Sequence, residues 1–218
     1  MDPISKTLKE YYSKTFSAYG ATARGVDWGN ETELIVRYDK MIAVLNKDFM
    51  DINKHCSLLD VGCGWGGLLK RINEIGLPVT YTGVDIVPEM IHYAKSAFQE
   101  SDFLIKDIFE IKGTGNYDFV VCNAILTQKL NVSKEKMDDY SKKLIVKMFD
   151  LCKHGVAFNM MSTKVNFMVE NLHYQEPSEL LSWLLRNVSP RVRLDHGYSS
   201  LRSGRGKYYD FTVYVYKD

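Results

Sequence analysis

Three acidic residues and one glycine loop carry the chemistry most legible in this sequence. The segment Leu59-Asp60-Val61-Gly62-Cys63-Gly64-Trp65-Gly66-Gly67 sets a carboxylate two residues ahead of a glycine cluster. Glycines let the backbone turn sharply and let a ligand approach the main chain. A helix that starts there presents unpaired N–H groups to an acceptor on that ligand. Gly62, Gly64 and Gly67 satisfy G-x-G-x-x-G, a dinucleotide pattern that is weak by itself. A carboxylate at Asp60 would repel a pyrophosphate; it suits a ligand that brings positive charge, such as an amino-acid ammonium. Asp85 can accept both hydroxyls of a ribose, a feature a nicotinamide enzyme would share. Asp107, in Lys106-Asp107-Ile108, can accept from an adenine amine, and Ile86 and Ile108 can cover the two ring faces. The bland alternative is that Asp60 and Asp107 cap helices and Asp85 is a turn acid. It weighs evenly for any one of them and poorly for three acids in order at strand ends.

The elements that must position these groups alternate along the chain. Apolar runs at 57–61, 79–85, 103–105, 117–122, 155–161, 191–195 and 208–216 have strand length. Helical spacing is read at 5–19, 31–47, 68–75, 88–97, 133–152 and 177–187. Strands alternating with helices imply a doubly wound α/β fold with a mostly parallel sheet. Only the loop from His196 to Lys207 separates the last two strands, so these must pair antiparallel. In the last strand Tyr209, Phe211, Val213 and Val215 share one face.

The chain has 218 residues, 45% hydrophobic and 25% charged, enough for one domain with a sizeable core. We expect a helical cover over 1–55 and a ligand-binding core over 56–218. With 28 Lys plus Arg against 27 Asp plus Glu, the net charge of +1 provides no field for nucleic acid or an anionic membrane. The N-terminus lacks a secretory pattern, and no apolar run reaches the roughly 20 residues that cross a bilayer. A cytoplasmic protein is expected. Cys56, Cys63, Cys122 and Cys152 are scattered and read as free thiols. They do not cluster with histidines at zinc spacing, so no metal is expected.

These residues resemble the class I S-adenosylmethionine-dependent methyltransferases, of bacterial small-molecule type. Leu58 to Gly66 matches that family's glycine motif. Gly83-Val84-Asp85-Ile86 with Pro88-Glu89-Met90 matches the second motif, Lys106-Asp107-Ile108 the third, and Tyr117 to Asn123 the fourth. The resemblance covers Ser57 to about Met161, and the closing antiparallel strands look like that family's seven-stranded sheet. It implies S-adenosylmethionine as cofactor, held by Asp60, Gly62, Gly64, Asp85, Ile86, Asp107, Ile108 and Asn123.

Gly20 to Asn30 then looks like the lid that precedes the core in small-molecule methyltransferases. Arg24 is expected to bind the cofactor carboxylate bidentately, and Trp28 to wall the methionine pocket. Surface charge and hydrophobic anchor are the equal alternatives. For the acceptor, His173 beside Tyr174 is the best candidate base pair, since a hydroxyl acceptor profits from a general base; a surface or capping histidine is the bland alternative. Tyr12, Arg202 and Arg205 are candidate acceptor contacts. The basic stretch Arg202 to Lys207 tilts the expectation toward a small anionic acceptor, although it reads equally as a solvated turn. A tRNA or other nucleic-acid methyltransferase is the first rival. It is weakened because Asn123-Ala124-Ile125-Leu126 lacks the planar clamp for a flipped base. A dehydrogenase and a non-catalytic adenosyl-binding scaffold are the others. A monomer and a homodimer are both open.

Overall fold

The computed structural model describes residues 1–45, 55–198 and 210–217. The chain begins with α1 (Pro3–Tyr19), whose first turn is capped by the Asp2 side chain. A 3-10 turn (Arg24–Val26) leads to α2 (Glu31–Ile42), capped by Asn30. The alternating part runs β1 (Cys56–Val61), α3 (Gly67–Ile75), β2 (Val79–Asp85), α4 (Pro88–Ala97), β3 (Asp102–Ile105) and β4 (Tyr117–Cys122). It continues through α5 (Lys134–Leu151), β5 (Cys152–Ser162), β6 (Tyr174–Gln175), α6 (Pro177–Asn187), β7 (Arg191–Asp195) and β8 (Asp210–Tyr216).

Among the described residues, one sheet holds eight strands, in the order β3-β2-β1-β4-β5-β8-β7, with β6 pairing β5 beside this path. The pairs from β3 to β5 are parallel. β8 runs antiparallel to both β5 and β7 and lies between them. The doubly wound, mostly parallel sheet with an antiparallel end is therefore as expected. The strand order reverses between β1 and β4, and ligands bind beyond the carboxyl ends of strands at such a point.

Alternation along each strand divides the core. Leu59, Val61, Val120, Cys122, Phe211, Val213 and Val215 point to the face covered by α5 and α6. Leu58, Phe119, Val121, Tyr214 and Tyr216 point to the face covered by α2, α3 and α4. Burial on both faces explains why these strands read as continuous apolar runs rather than as half-polar ones. Leu34, Tyr38 and Met41 of α2 share a cluster with Leu68, Leu69 and Ile72 of α3, so the N-terminal cover packs into the core.

Beyond shifts of one or two residues at element ends, the structure differs from the sequence reading at a few places. The helix expected over 31–47 ends at Ile42, and the following turn drives Val44 fully into the core. The helix over 133–152 ends at Leu151, because β5 takes up the chain from Cys152, three residues before the expected strand start. The two-residue β6 was not expected, since its side chains carry no alternation of their own. The strand expected over 208–216 is described from Asp210 onward.

Candidate cofactor and acceptor site

The glycine loop turns directly off β1. Gly62 (φ 73°) and Gly64 (φ 55°) occupy the left-handed region, where side chains are strained. The Gly62 and Cys63 N–H groups both donate to the Val84 carbonyl on β2. Asp85 holds the same loop from the other side. Its Oδ2 accepts from the Gly64 N–H at 2.9 Å, and its Oδ1 accepts from the Val87 N–H at 2.9 Å, just before α4. Burial pushes the Asp85 carboxyl up, against the pull of these N–H donors. A carboxylate has about four acceptor positions, so ribose hydroxyls can still be received.

Asp60, at the end of β1, is 2% exposed and accepts from the Tyr81 hydroxyl at 2.6 Å. Burial pushes its carboxyl up to about 7, the neighbouring Asp85 adds to this, and the Tyr81 bond opposes it. Tyr81 lies one strand away, and only the parallel register of β1 and β2 brings the pair together. Asp107 follows β3, and its Oδ1 caps the next turn by accepting from the Phe109 N–H. Asp107 Oδ2 and Asn123 Oδ1 are buried without a hydrogen-bond partner among the described residues. Leaving such an acceptor unpaired costs roughly 1–3 kcal/mol, so both are arranged for donors from outside the chain.

These residues line one cleft of about 880 Å³, its mouth included, together with Gly62, Gly64, Ile86 and Ile108. Among the described residues, its charged lining consists of Asp60, Asp85, Asp107 and Lys106. Three carboxylates against one ammonium suit an adenosine-bearing ligand that carries positive charge, and the orphaned Asp107 oxygen suits an exocyclic amine. S-adenosylmethionine has both features. Tyr12 of α1 and Trp28 of the cover also line the cleft. Arg24 does not reach it: the side chain is exposed and stacks its guanidinium 4.6 Å over the Tyr19 ring.

A second cavity of about 800 Å³ adjoins the first, and both are lined by Tyr12, Val26, Trp28 and Ala124. Asp27, Gln128 and Asn171 make one polar wall. Asp27 Oδ2 accepts from the Tyr11 hydroxyl at 2.9 Å and from Gln128 Nε2 at 2.6 Å, and Gln128 Oε1 accepts from Asn171 Nδ2 at 3.2 Å. Burial and the Asp27 charge raise the phenols of Tyr11 and Tyr12, so both remain neutral near pH 7.

The expectation of a base at His173 and Tyr174 is corrected. His173 is fully buried and lines neither cavity; its Nδ1 lies 3.1 Å from the Leu126 carbonyl and its Nε2 2.6 Å from Asp138. The ring ties the loop after β4 to α5. The Tyr174 hydroxyl accepts from the Val169 N–H, and it too is absent from both cavity walls. A histidine next to a tyrosine at a strand edge carries no sequence signal that separates a core pin from a base. Arg202 and Arg205 lie outside the described residues.

Sequence reasoning missed Arg37. It is 1% exposed and grips Asp210 of β8 through Nε and Nη2, each at 2.9 Å. Its Nη1 donates to the Glu33 carbonyl, and its guanidinium lies 3.9 Å over the Trp28 ring. The signal was present: residue 37 falls on the apolar stripe of α2 defined by Leu34, Tyr38 and Met41. The Asp27 cluster was missed as well, because its members are spread over residues 11 to 171.

Comparison with known proteins agrees with this geometry. A family profile described as a methyltransferase domain matches residues 52–192. The Rv1506c protein of Mycobacterium tuberculosis, which carries an inferred methyltransferase name, is 26% identical over 74% of this chain and 93% of its own length. The malonyl-[acyl-carrier protein] O-methyltransferase of Acetivibrio thermocellus is 32% identical over 55% of this chain but only 39% of that enzyme. In fold, the chain is similar to the crystal structure of magnesium protoporphyrin IX methyltransferase from Synechocystis PCC 6803 with bound S-adenosylmethionine. The TM-score is 0.67 at 16% identity, covering 100% of this chain and 99% of that one. With the family's motifs in place at the strand ends and its profile spanning most of the core, the chain belongs to the class I S-adenosylmethionine-dependent methyltransferases.

Proposed function

We propose that this protein methylates an oxygen or nitrogen of a small molecule bound in the second cavity. The observation that carries this reading is the shared wall: Tyr12, Val26, Trp28 and Ala124 border both cavities. An acceptor in the second cavity therefore reaches the methionine end of a cofactor lying in the first. S-adenosylmethionine, when bound, supplies an electrophilic methyl group on a sulfonium. Asp60 receives the amino-acid ammonium, Asp85 the ribose hydroxyls and Asp107 the adenine amine, while Ile86 and Ile108 sandwich the base. Asn123 offers its unpaired oxygen, and the backbone at Gly62 and Gly64 allows close approach. Trp28 and Tyr12 exclude water above the reacting centre. Displacement at a sulfonium is in-line, so positioning supplies much of the rate.

The test is turnover. The purified protein is incubated with methyl-labelled cofactor and a panel of small amines, phenols, sugars and carboxylic acids. Label on an organic product, with release of S-adenosylhomocysteine, supports the reading. A protein that binds the cofactor but transfers label only to tRNA or other RNA, or to nothing in the panel, overturns it. RNA binding that falls steeply with salt would identify the nucleic-acid alternative.

A further inference from the structure

Of the four residues that wall both cavities, Tyr12 brings a hydroxyl to their junction. We propose that this hydroxyl is a catalytic group: it accepts a hydrogen bond from the N–H or O–H of the acceptor atom and turns that atom's lone pair toward the methyl carbon. This rests on the reading that the acceptor occupies the second cavity.

The sequence of α1 places Tyr12 there. Ser5, Leu8 and Tyr12 follow one another at helical spacing and all line the cofactor cleft. Ser5 and Leu8 are buried, and the Ser5 hydroxyl lies 3.2 Å from the Tyr140 hydroxyl of α5. On the other side of Tyr12, the Thr15 hydroxyl reaches the Gly25 carbonyl at 3.1 Å. These ties hold α1 along the cleft, and of the three stripe residues Tyr12 also lines the second cavity. Its ring stands edge-on to Tyr11, with centroids 5.3 Å apart and planes at 81°.

The two adjacent tyrosines are used differently. The Tyr11 hydroxyl donates to Asp27. The Tyr12 hydroxyl, on a half-buried side chain, has no hydrogen-bond partner among the described residues. Burial raises the Tyr12 phenol, and Asp27, Tyr11, Asp85 and Cys122 add to this. Asp27 belongs to the wall of the second cavity and Asp85 to the cofactor cleft, so the hydroxyl stands within electrostatic reach of both. The other shared wall residues cannot replace it: the side chains of Val26 and Ala124 are apolar, and the indole of Trp28 only donates. In the transfer the acceptor atom forms its bond to the methyl carbon as the carbon–sulfur bond breaks, and sulfur keeps the electron pair as S-adenosylhomocysteine. Positive charge develops on the acceptor atom and makes its N–H or O–H a stronger donor. The bond to Tyr12 therefore tightens in the transition state more than in the ground state. The acceptor's proton leaves afterwards to solvent; the neutral phenol does not carry it.

The test compares the full-length protein with Tyr12→Phe, which keeps the ring and its packing and removes the hydroxyl. Sinefungin, an analogue in which an amine-bearing carbon replaces the methylsulfonium, presents N–H groups at the junction without any acceptor. Its affinity and that of S-adenosylhomocysteine are measured by isothermal titration calorimetry. We expect Tyr12→Phe to weaken sinefungin by about tenfold and to leave S-adenosylhomocysteine within about twofold. With any acceptor methylated by the wild-type protein, kcat should fall by about 10- to 100-fold while KM changes by less than about threefold, and the pH profile should keep its shape. Sinefungin affinity within about threefold of wild type, an equal loss of both ligands, a kcat within about threefold, or the loss of a limb of the pH profile overturns the inference. A wild-type protein that binds neither ligand would instead overturn the functional reading on which it rests.

Discussion

Asp60 makes the cofactor site sensitive to pH in a direction that can be worked out. Its carboxyl stands at about 7 in the folded protein, against an ordinary value of 3.8, chiefly because burial disfavours the charge. A group raised on folding contributes stability that is fully present below its unfolded value and is lost as pH rises through the folded one. The empty protein should therefore lose stability between about pH 4 and pH 7, by up to about 4 kcal/mol from this group at 1.36 kcal/mol per pH unit. Cofactor affinity should move the other way. An ammonium beside Asp60 favours the carboxylate, so binding at low pH must first expel the Asp60 proton. With a folded value of about 7, roughly 3% of Asp60 is ionised at about pH 5.5 and roughly 76% at about pH 7.5. Affinity for S-adenosylhomocysteine should then rise about 25-fold across that interval, close to 1.9 kcal/mol. Isothermal titration calorimetry in buffers of different ionisation enthalpy measures both the affinity and the released proton. Asp60→Asn keeps an oxygen for the Tyr81 hydroxyl but cannot titrate; its affinity should be flat with pH and at least about tenfold weaker near neutrality. Adenosine, which has no ammonium, should show no such rise. A wild-type affinity constant within twofold across the interval, or a slope that persists in Asp60→Asn, refutes the reasoning.

Two further variants separate structure from chemistry. Arg37→Met leaves Asp210 buried without its partner and should cost about 3–5 kcal/mol in urea unfolding; a loss under 1 kcal/mol would show that the pair does not hold the cover. His173→Gln removes the bridge between the Leu126 carbonyl and Asp138. It should destabilise the fold by about 1–3 kcal/mol while leaving kcat within twofold at a temperature where the variant is folded. A collapse of kcat with the melting temperature intact would restore His173 as the base.

Much of this architecture was legible because burial on both sheet faces writes long apolar strands. The bounds of β2, β4, β7, α4 and α6 follow directly from that texture and from Pro88 and Pro177 at their helix starts. The glycine loop and the acids at 60, 85 and 107 were legible because a short motif at each strand end suffices to bring them to one cleft. The acceptor side was not. Asp27, Gln128 and Asn171 meet through tertiary packing of irregular segments, and no local period marks them. His173 misled for a related reason. Its sequence neighbours carry no period that would mark it as buried, and only the packing of α5 against it reveals that both ring nitrogens are occupied.

The position of the two cavities relative to each other is set by one buried carboxylate. Asp210 opens β8 and is fully buried. It takes the Arg37 guanidinium on one side, and through Arg37 it fixes the Trp28 ring that walls both cavities. On the other side, Asn159 Nδ2 donates to Asp210 at 3.3 Å while Asn159 Oδ1 accepts from the Ala124 N–H at 2.7 Å. Ala124 sits at φ 77°, a strained conformation for alanine, and also lines both cavities. One charge in the sheet thus anchors a wall from the cover and a wall from the loop after β4. A chain that had only to bind the adenosine end of its cofactor would gain nothing from locking these two walls together. For a chain that must align an acceptor atom with a methyl group, misplacement by about 1 Å can cost on the order of 100-fold in rate. A buried ion pair is a weak source of stability, and its location here, behind the junction of the two cavities, is better explained by that alignment.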